Sequence, residues 1–263
     1  MRHSRTPPHP RPTAEKVLRA FNTWAFKREQ PEHPHLLLQV VTTAVARSEP
    51  LRFVLYWGKG PRCRIGPEDL ECLDYLGSMI ARVREAHAAG AAVTLILTDT
   101  HARHNGHPEE SIASYFAAIA DEAARRGLQT CRLSALVDAA GEAAVATADT
   151  QPVPDEILHN LAASAGKWYR GNGSAEDGAR AYYRMNMVEK RAVEIAFPGA
   201  VFVTFNGSKL RCLFPASMPV FYMYSLRRGV SVKPWFLPSD AEACGPDACR
   251  CRTTDDASEA LPD

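Results

Sequence analysis

Two short stretches of the chain hold residues whose types could do chemistry. The first is FVLYWGKGPRCR, residues 53–64. An apolar run that reads as a core strand stops at Trp57 and gives way to Gly58, Lys59, Gly60, Pro61 and Arg62. Two cations at the mouth of a strand suit a phosphate or carboxylate, and the glycines let a ligand approach the backbone. The order is not that of a Walker A loop, because the spacing and the Ser/Thr after the lysine are missing. A lysine at such an edge could also form a Schiff base with a ketone. The competing reading is a solvated turn.

The second stretch is Thr98-Asp99-Thr100-His101, followed by His104, Asn105, Gly106 and His107. Asp99 follows an apolar run, where a carboxylate serves as metal ligand, base or hydroxyl acceptor, or caps its own loop. The spacing of His101, His104 and His107 matches no known ligand signature, so no metal is expected. An acid/base role for one of the three fits better, since histidine titrates near neutrality. Further on, Arg180 and Arg184 stand one helical turn apart, with Asn186 and Glu189 on another face. The plain alternative there is a solvated helix side with ordinary ion pairs. Asn206, Ser208 and Lys209 fall in a stretch that reads as a hairpin turn. Cys244, Cys249 and Cys251 are close together in a polar tail, but their spacing matches no standard zinc module.

The elements that must position these residues alternate. Residues 13–29 and 35–47 have helical apolar spacing, with Val17, Leu18, Phe21 and Trp24 on one stripe. Residues 51–57 read as a strand. Pro67-Glu68-Asp69 opens a helix that runs to Gly90. Residues 91–98 form a β-branched apolar strand. A second helix spans 107–127, with Pro108 opening and Gly127 closing it, and 128–133 is a third, short strand. Residues 134–170 read as mostly helical or irregular. Ser174, with Asp177 three residues on, caps a helix whose core stripe is read as Ala181, Met185, Val188, Ala192 and Ile195. AVFVTF, KLRCLF and PVFYMYSL then read as short strands close together, an antiparallel addition. The expected fold class is therefore α/β: a Rossmann-like, mainly parallel sheet with helices on both faces and a short antiparallel C-terminal addition.

The bulk numbers exclude several classes. The net charge of +1 gives no field that recruits nucleic acid or anionic lipid. No apolar run approaches the ~18 residues of a membrane span. Residues 1–12, with Pro7, Pro8, Pro10 and Pro12, read as a disordered arm without a secretory apolar core. Residues 13–238 read as a single α/β catalytic domain and 239–263 as a flexible tail. Seven cysteines, an odd number and mostly scattered, point to reduced thiols and a cytoplasmic location.

Several segments in this order resemble the isonitrile synthase family, also called the pyoverdine/dityrosine biosynthesis family. They are YWGKGPRCRIGPEDLECLDYL, GAAVTLILTDTHARHNGH, YYRMNMVEKRAVEIAFPGAVFVTFNGS and VKPWF, and they cover roughly residues 50–236. The resemblance implies a modified Rossmann-like fold. It implies an enzyme that converts the α-amino group of an amino acid to an isonitrile, with ribulose 5-phosphate as carbon donor and no metal or redox cofactor. On that reading Lys59 and Arg62 meet the sugar phosphate or its ketone, Asp99 holds substrate, and Arg184 with Asn186 lines the pocket. The chain departs from the family in three places. Phe205-Asn206-Gly207 stands where a histidine is expected, Phe236 where another is expected, and Thr100-His101 where the family commonly has glycine.

The reading that results assigns catalysis to Lys59, Asp99 and His101. It assigns substrate binding to Arg62, Asn105, Arg184, Asn186, Asn206 and Lys209. The expected partners are an amino acid and a phosphosugar, with no nucleic acid, no membrane and no cofactor; a homodimer is compatible with the sequence. The alternatives are a different transferase or lyase on the same fold, or a non-catalytic protein that binds a small anion or a metal.

Overall fold

The structure is a computed structural model that describes residues 13–58, 60–62, 64–145, 153–223, 225–227 and 230–232. Lys59, the tail cysteines and all but the first residue of VKPWF lie outside the described residues. Helices α1 (Ala14–Phe21) and α2 (Pro34–Arg47) precede β1 (Leu51–Trp57). Then follow α3 (Pro67–Ala86), β2 (Ala91–Leu97), α4 (Asp99–His104), α5 (Glu109–Arg125) and β3 (Gln129–Arg132). Helices α6 (Leu133–Ala140), α7 (Glu142–Val145), α8 (Asp155–Trp168) and α9 (Ala175–Ala196) lead into β4 (Val201–Thr204). A 3-10 helix (Ser208–Leu213), β5 (Val220–Tyr222), β6 (Ser225–Arg227) and β7 (Val230–Val232) complete it.

Five strands form one sheet in the order β3-β2-β1-β4-β5, and every pairing in it is parallel. Alternation along β1 sends Phe53, Leu55 and Trp57 to one face, where they pack with residues of α1, α2, α3 and α5. Val54 and Tyr56 face the other side, with residues of α6, α8 and α9. Each large apolar side chain sealed in these two layers contributes about 1.5–3 kcal/mol. Helix starts follow local chemistry. The Gly66 N–H donates to Asp69 Oδ2 at the head of α3, and Ser174 and Asp177 exchange bonds at the head of α9. Gly90 and Gly127, both at φ +71, turn the chain after α3 and α5.

Three sequence expectations are corrected. The first helix stops at Phe21, and residues 22–30 follow as bends, turns and an isolated bridge. AVFVTF and PVFYMYSL contribute β4 and β5, which extend the parallel sheet rather than forming an antiparallel addition, and KLRCLF is the 3-10 helix. The antiparallel addition shrinks to the β6–β7 pair. The core stripe of α9 is also rotated: Ala179, Tyr183, Asn186, Glu189, Ala192 and Val193 are buried, while Ala181 and Ile195 are exposed. No helix among the described residues is long and apolar enough to cross a membrane.

Candidate active site

The strand order reverses at β1. Its neighbour on one side is β2, which follows it in the chain, and on the other side β4. In open parallel sheets the crevice at such a reversal, beyond the carboxyl ends of the strands, is where ligands bind. Three chain segments leave the sheet at that edge: the Gly58–Gly66 loop after β1, α4 after β2, and Phe205-Asn206-Gly207 after β4. The first two touch. A Cβ on Gly60 would lie 3.1 Å from His107 Nε2, so only a residue without a side chain sits there comfortably. The strand ends are also tied together, because the Thr98 hydroxyl donates to the Trp57 carbonyl at 2.9 Å.

The first turn of α4 is anchored residue by residue. Asp99 is 2% exposed. Its Oδ1 accepts from the Ser134 N–H, and its Oδ2 accepts from the Ser134 hydroxyl and from Arg103. Burial would raise its pKa, but the Ser134 bonds and the Arg103 charge outweigh it and hold the carboxyl below its ordinary value. Thr100 and His101 turn to α9 instead. The Thr100 hydroxyl donates to Glu189 Oε1, and His101 Nε2 lies 2.7 Å from Glu189 Oε2. Glu189 is 1% exposed and His101 9%.

Aromatic rings enclose the imidazole. Tyr56 and Tyr182 meet the His101 ring edge-on, with centroids 5.7 and 5.0 Å away. The hydroxyl of Tyr56 is sealed from water and has no hydrogen-bond partner among the described residues. Burial, then the Glu189 charge, push its pKa well above the ordinary value, so it stays protonated and able to donate. Asn186, one turn before Glu189, is equally buried, and its Oδ1 also lacks a partner among the described residues. A buried polar atom without a bond costs about 1–3 kcal/mol, so such atoms point to a functional use. His104 packs against Tyr169 and Tyr182, and burial lowers its pKa.

The other expected site residues have partners or positions of their own. Arg62 pairs with the buried Glu68 of α3. Asn105 caps the C-terminal end of α4. Asn206 follows β4 at the strand-order reversal, its N–H donating to the Thr204 hydroxyl, and Lys209 is exposed on the adjoining 3-10 helix. Arg184 is exposed on α9, between the buried Tyr183 and Asn186. Asn186 and Glu189 are buried, which argues against the plain alternative of a solvated helix side at these two positions. Tyr56, Tyr182 and Ser134 are participants that the sequence alone did not single out, and Glu189 was noted there only on a helix face, without a role. Tyr182, Asn186 and Glu189 recur at i, i+4 and i+7, a polar stripe with the period of a buried helix face, which is the signal for Tyr182 and for the role of Glu189. Among the described residues, no three His, Cys, Asp or Glu side chains converge as metal ligands.

Among solved structures, the PvcA protein from Pseudomonas aeruginosa matches with a TM-score of 0.60 and 16% identity, over 84% of this chain and 86% of PvcA. The fold resembles that of PvcA. Tyrosyl-tRNA synthetase from Archaeoglobus fulgidus, complexed with L-tyrosine, matches with a TM-score of 0.48 and 16% identity, over 79% of this chain and 63% of that one. No family model matches the chain, and no curated protein does. The likeness to PvcA is one of fold, and it stands beside the resemblance that the four sequence segments carry.

Proposed function

We propose that this chain is an isonitrile synthase-like enzyme, which converts the α-amine of an amino acid to an isonitrile with ribulose 5-phosphate as carbon donor. The observation that carries the reading is the His101–Glu189 pair, set under Tyr56 at the ligand edge of the sheet. Condensation requires a neutral amine, and a histidine backed by a carboxylate takes its proton. The amine then adds to the sugar ketone with loss of water, and both carbon–carbon bonds of that carbon break: its hydroxymethyl neighbour leaves as formaldehyde, the phosphate-bearing fragment leaves with a proton, and the carbon stays on nitrogen as N≡C. The protonated Tyr56 hydroxyl and the Asn186 carbonyl supply one donor and one acceptor for substrate. Lys59 and Arg62 suit the phosphate. Asp99, with its oxygens engaged by Ser134 and Arg103, supports the loop rather than the reacting atoms. The amino acid is proposed as a class and not as one member.

The test is mass spectrometry of reactions that pair ribulose 5-phosphate, carbon-13 labelled in the sugar, with each amino acid in turn. A labelled isonitrile with at least one amino acid is expected. No labelled product from folded protein with any amino acid overturns the reading. A thermal shift with phosphosugars but no turnover would favour a small-anion binding protein instead.

A further inference from the structure

We infer that Glu189 is the positioning residue that sets the tautomer of His101, making Nδ1 the basic nitrogen of the site; this rests on the acid/base role proposed for His101. The two oxygens of Glu189 are taken by consecutive residues of one helical turn, Thr100 at Oε1 and His101 at Oε2. An ionised carboxylate only accepts hydrogen bonds, so Nε2 must carry its proton whenever the contact is made. The remaining lone pair of a neutral imidazole is then on Nδ1. That nitrogen makes no hydrogen bond within the described residues, and 11% of the side chain stays exposed. The ring cannot readily turn over, because Tyr56 and Tyr182 meet it edge-on.

The step this permits is one proton transfer. An N–H bond of the substrate ammonium breaks and Nδ1–H forms, while the electron pair stays on the amine nitrogen. The imidazolium so formed has its positive charge against Glu189, within a buried site where such a contact is strong. Thr100 supplies the second constraint. A carboxylate held at one oxygen swings about its terminal bond, whereas one held at both presents Oε2 in a single direction. The arrangement matches the general pattern in which a base is oriented by a third group. Neither Glu189 nor Thr100 touches the reacting atoms on this assignment.

Nitrogen-15 NMR of the histidine rings tests it without any turnover. At a pH where His101 is neutral, the full-length protein is expected to show a single tautomer, with the proton on Nε2 and a bare, downfield Nδ1. Glu189→Ala is expected to give a mixture that includes the Nδ1–H form. A wild-type ring protonated on Nδ1, or a population unmoved by Glu189→Ala, overturns the inference. The wild-type spectrum decides the matter even if Glu189→Ala fails to fold. In the isonitrile assay, Glu189→Ala is expected to lower kcat by about 10²–10⁴ with KM little changed, and Glu189→Asp to recover part of it. If the wild type forms no isonitrile, the proposed reaction falls, while the NMR result still decides the tautomer.

Discussion

His101 Nε2 meets Glu189 Oε2 across 2.7 Å, although 88 residues separate them in the chain. The contact joins the first turn of α4, at the end of β2, to the buried face of α9, the longest helix described. Asp99 joins the same turn to α6 through Ser134. The loop at the mouth of β2 is therefore held from two directions, and the histidine in it has little freedom.

Removing the carboxylate should show in stability as well as in chemistry. Glu189→Ala leaves the Thr100 hydroxyl and a ring nitrogen of His101 without their acceptor in a buried site. A loss of about 1–3 kcal/mol in a urea unfolding experiment is expected. Glu189→Gln, which keeps the volume and one acceptor oxygen, should lose less.

The loop after β1 rests on a second buried chain of bonds. The Trp57 indole N–H donates to the Tyr115 hydroxyl at 3.4 Å, and that hydroxyl donates to Asp69 Oδ1 at 3.0 Å. Tyr115→Phe removes both links and leaves the sealed Asp69 with one donor fewer. Denaturant melts should give a loss of about 1–3 kcal/mol, and Trp57 fluorescence should shift with it.

Arg62 is tied to the structure as well as proposed for substrate. Its guanidinium pairs with Glu68, which is sealed in the head of α3. Arg62→Ala is therefore expected to cost more in stability than loss of a surface cation, which contributes under about 1 kcal/mol. Paired thermal melts and phosphosugar titrations separate the two roles. Arg62→Lys should restore more of the melt than of the binding, because a point charge does not reproduce the planar fork.

Gly106 at φ +80 faces the backbone of Arg170, whose carbonyl oxygen would lie 3.3 Å from an added Cβ. Gly106→Ala should cost more than about 1 kcal/mol through backbone strain alone. Equilibrium unfolding measures it. A neutral outcome would mean that the α4–α5 turn relaxes independently of the 169–173 segment.

Acid should loosen the site in two stages. Burial holds His104 and His107 below the ordinary histidine value of 6.5, with the charge of Arg170 adding to the effect at His107. The unfolded chain thus binds protons first as pH falls through 6.5, and the stability these neutral rings contribute above that value declines. Asp99, held below 3.8, contributes stability that persists above that value and is lost as pH falls through its folded pKa. Melting temperatures should be flat from pH 8 to 7, fall below about 6.5, and fall again near the carboxylate range. The double change His104→Gln, His107→Gln should flatten the first fall only.

The parallel frame was legible because β1, α3, β2 and α5 each carry their own signals: apolar β-branched runs, Pro67 and Pro108 at helix starts, Gly90 and Gly127 after the ends. The second half was harder to read for two physical reasons. Parallel β4 and β5 are joined by residues 205–219, and the helix in that crossover is a 3-10 turn rather than an α-helix. KLRCLF, with apolar residues close together and no helical period, reads as a strand. In α9 the buried stripe contains Asn186 and Glu189, which hydrophobic periodicity places outside. Glu189 is inside because Thr100 and His101 meet it, a pairing invisible until α4 and α9 are brought together. His101 could be singled out by type and Glu189 noted on its helix face, but not the contact between them.

The stretch after α1 lies along the outer edge of β5. Lys27 bridges Met223, and the Arg28 N–H donates to the Tyr222 carbonyl at 2.8 Å. Arg28 reaches the Phe205 carbonyl, Glu29 accepts from the Ser208 N–H, and Phe21 packs edge-on against Phe221. An early part of the chain thus covers the last strand of the sheet. During synthesis residues 21–32 emerge well before β5 and must wait, undocked, for nearly two hundred residues to follow. Until they close over it, β5 presents a bare hydrogen-bonding edge of the kind that recruits other chains. Such a closure is non-local, and non-local pairings are in general the slow part of folding, during which open strand edges invite aggregation.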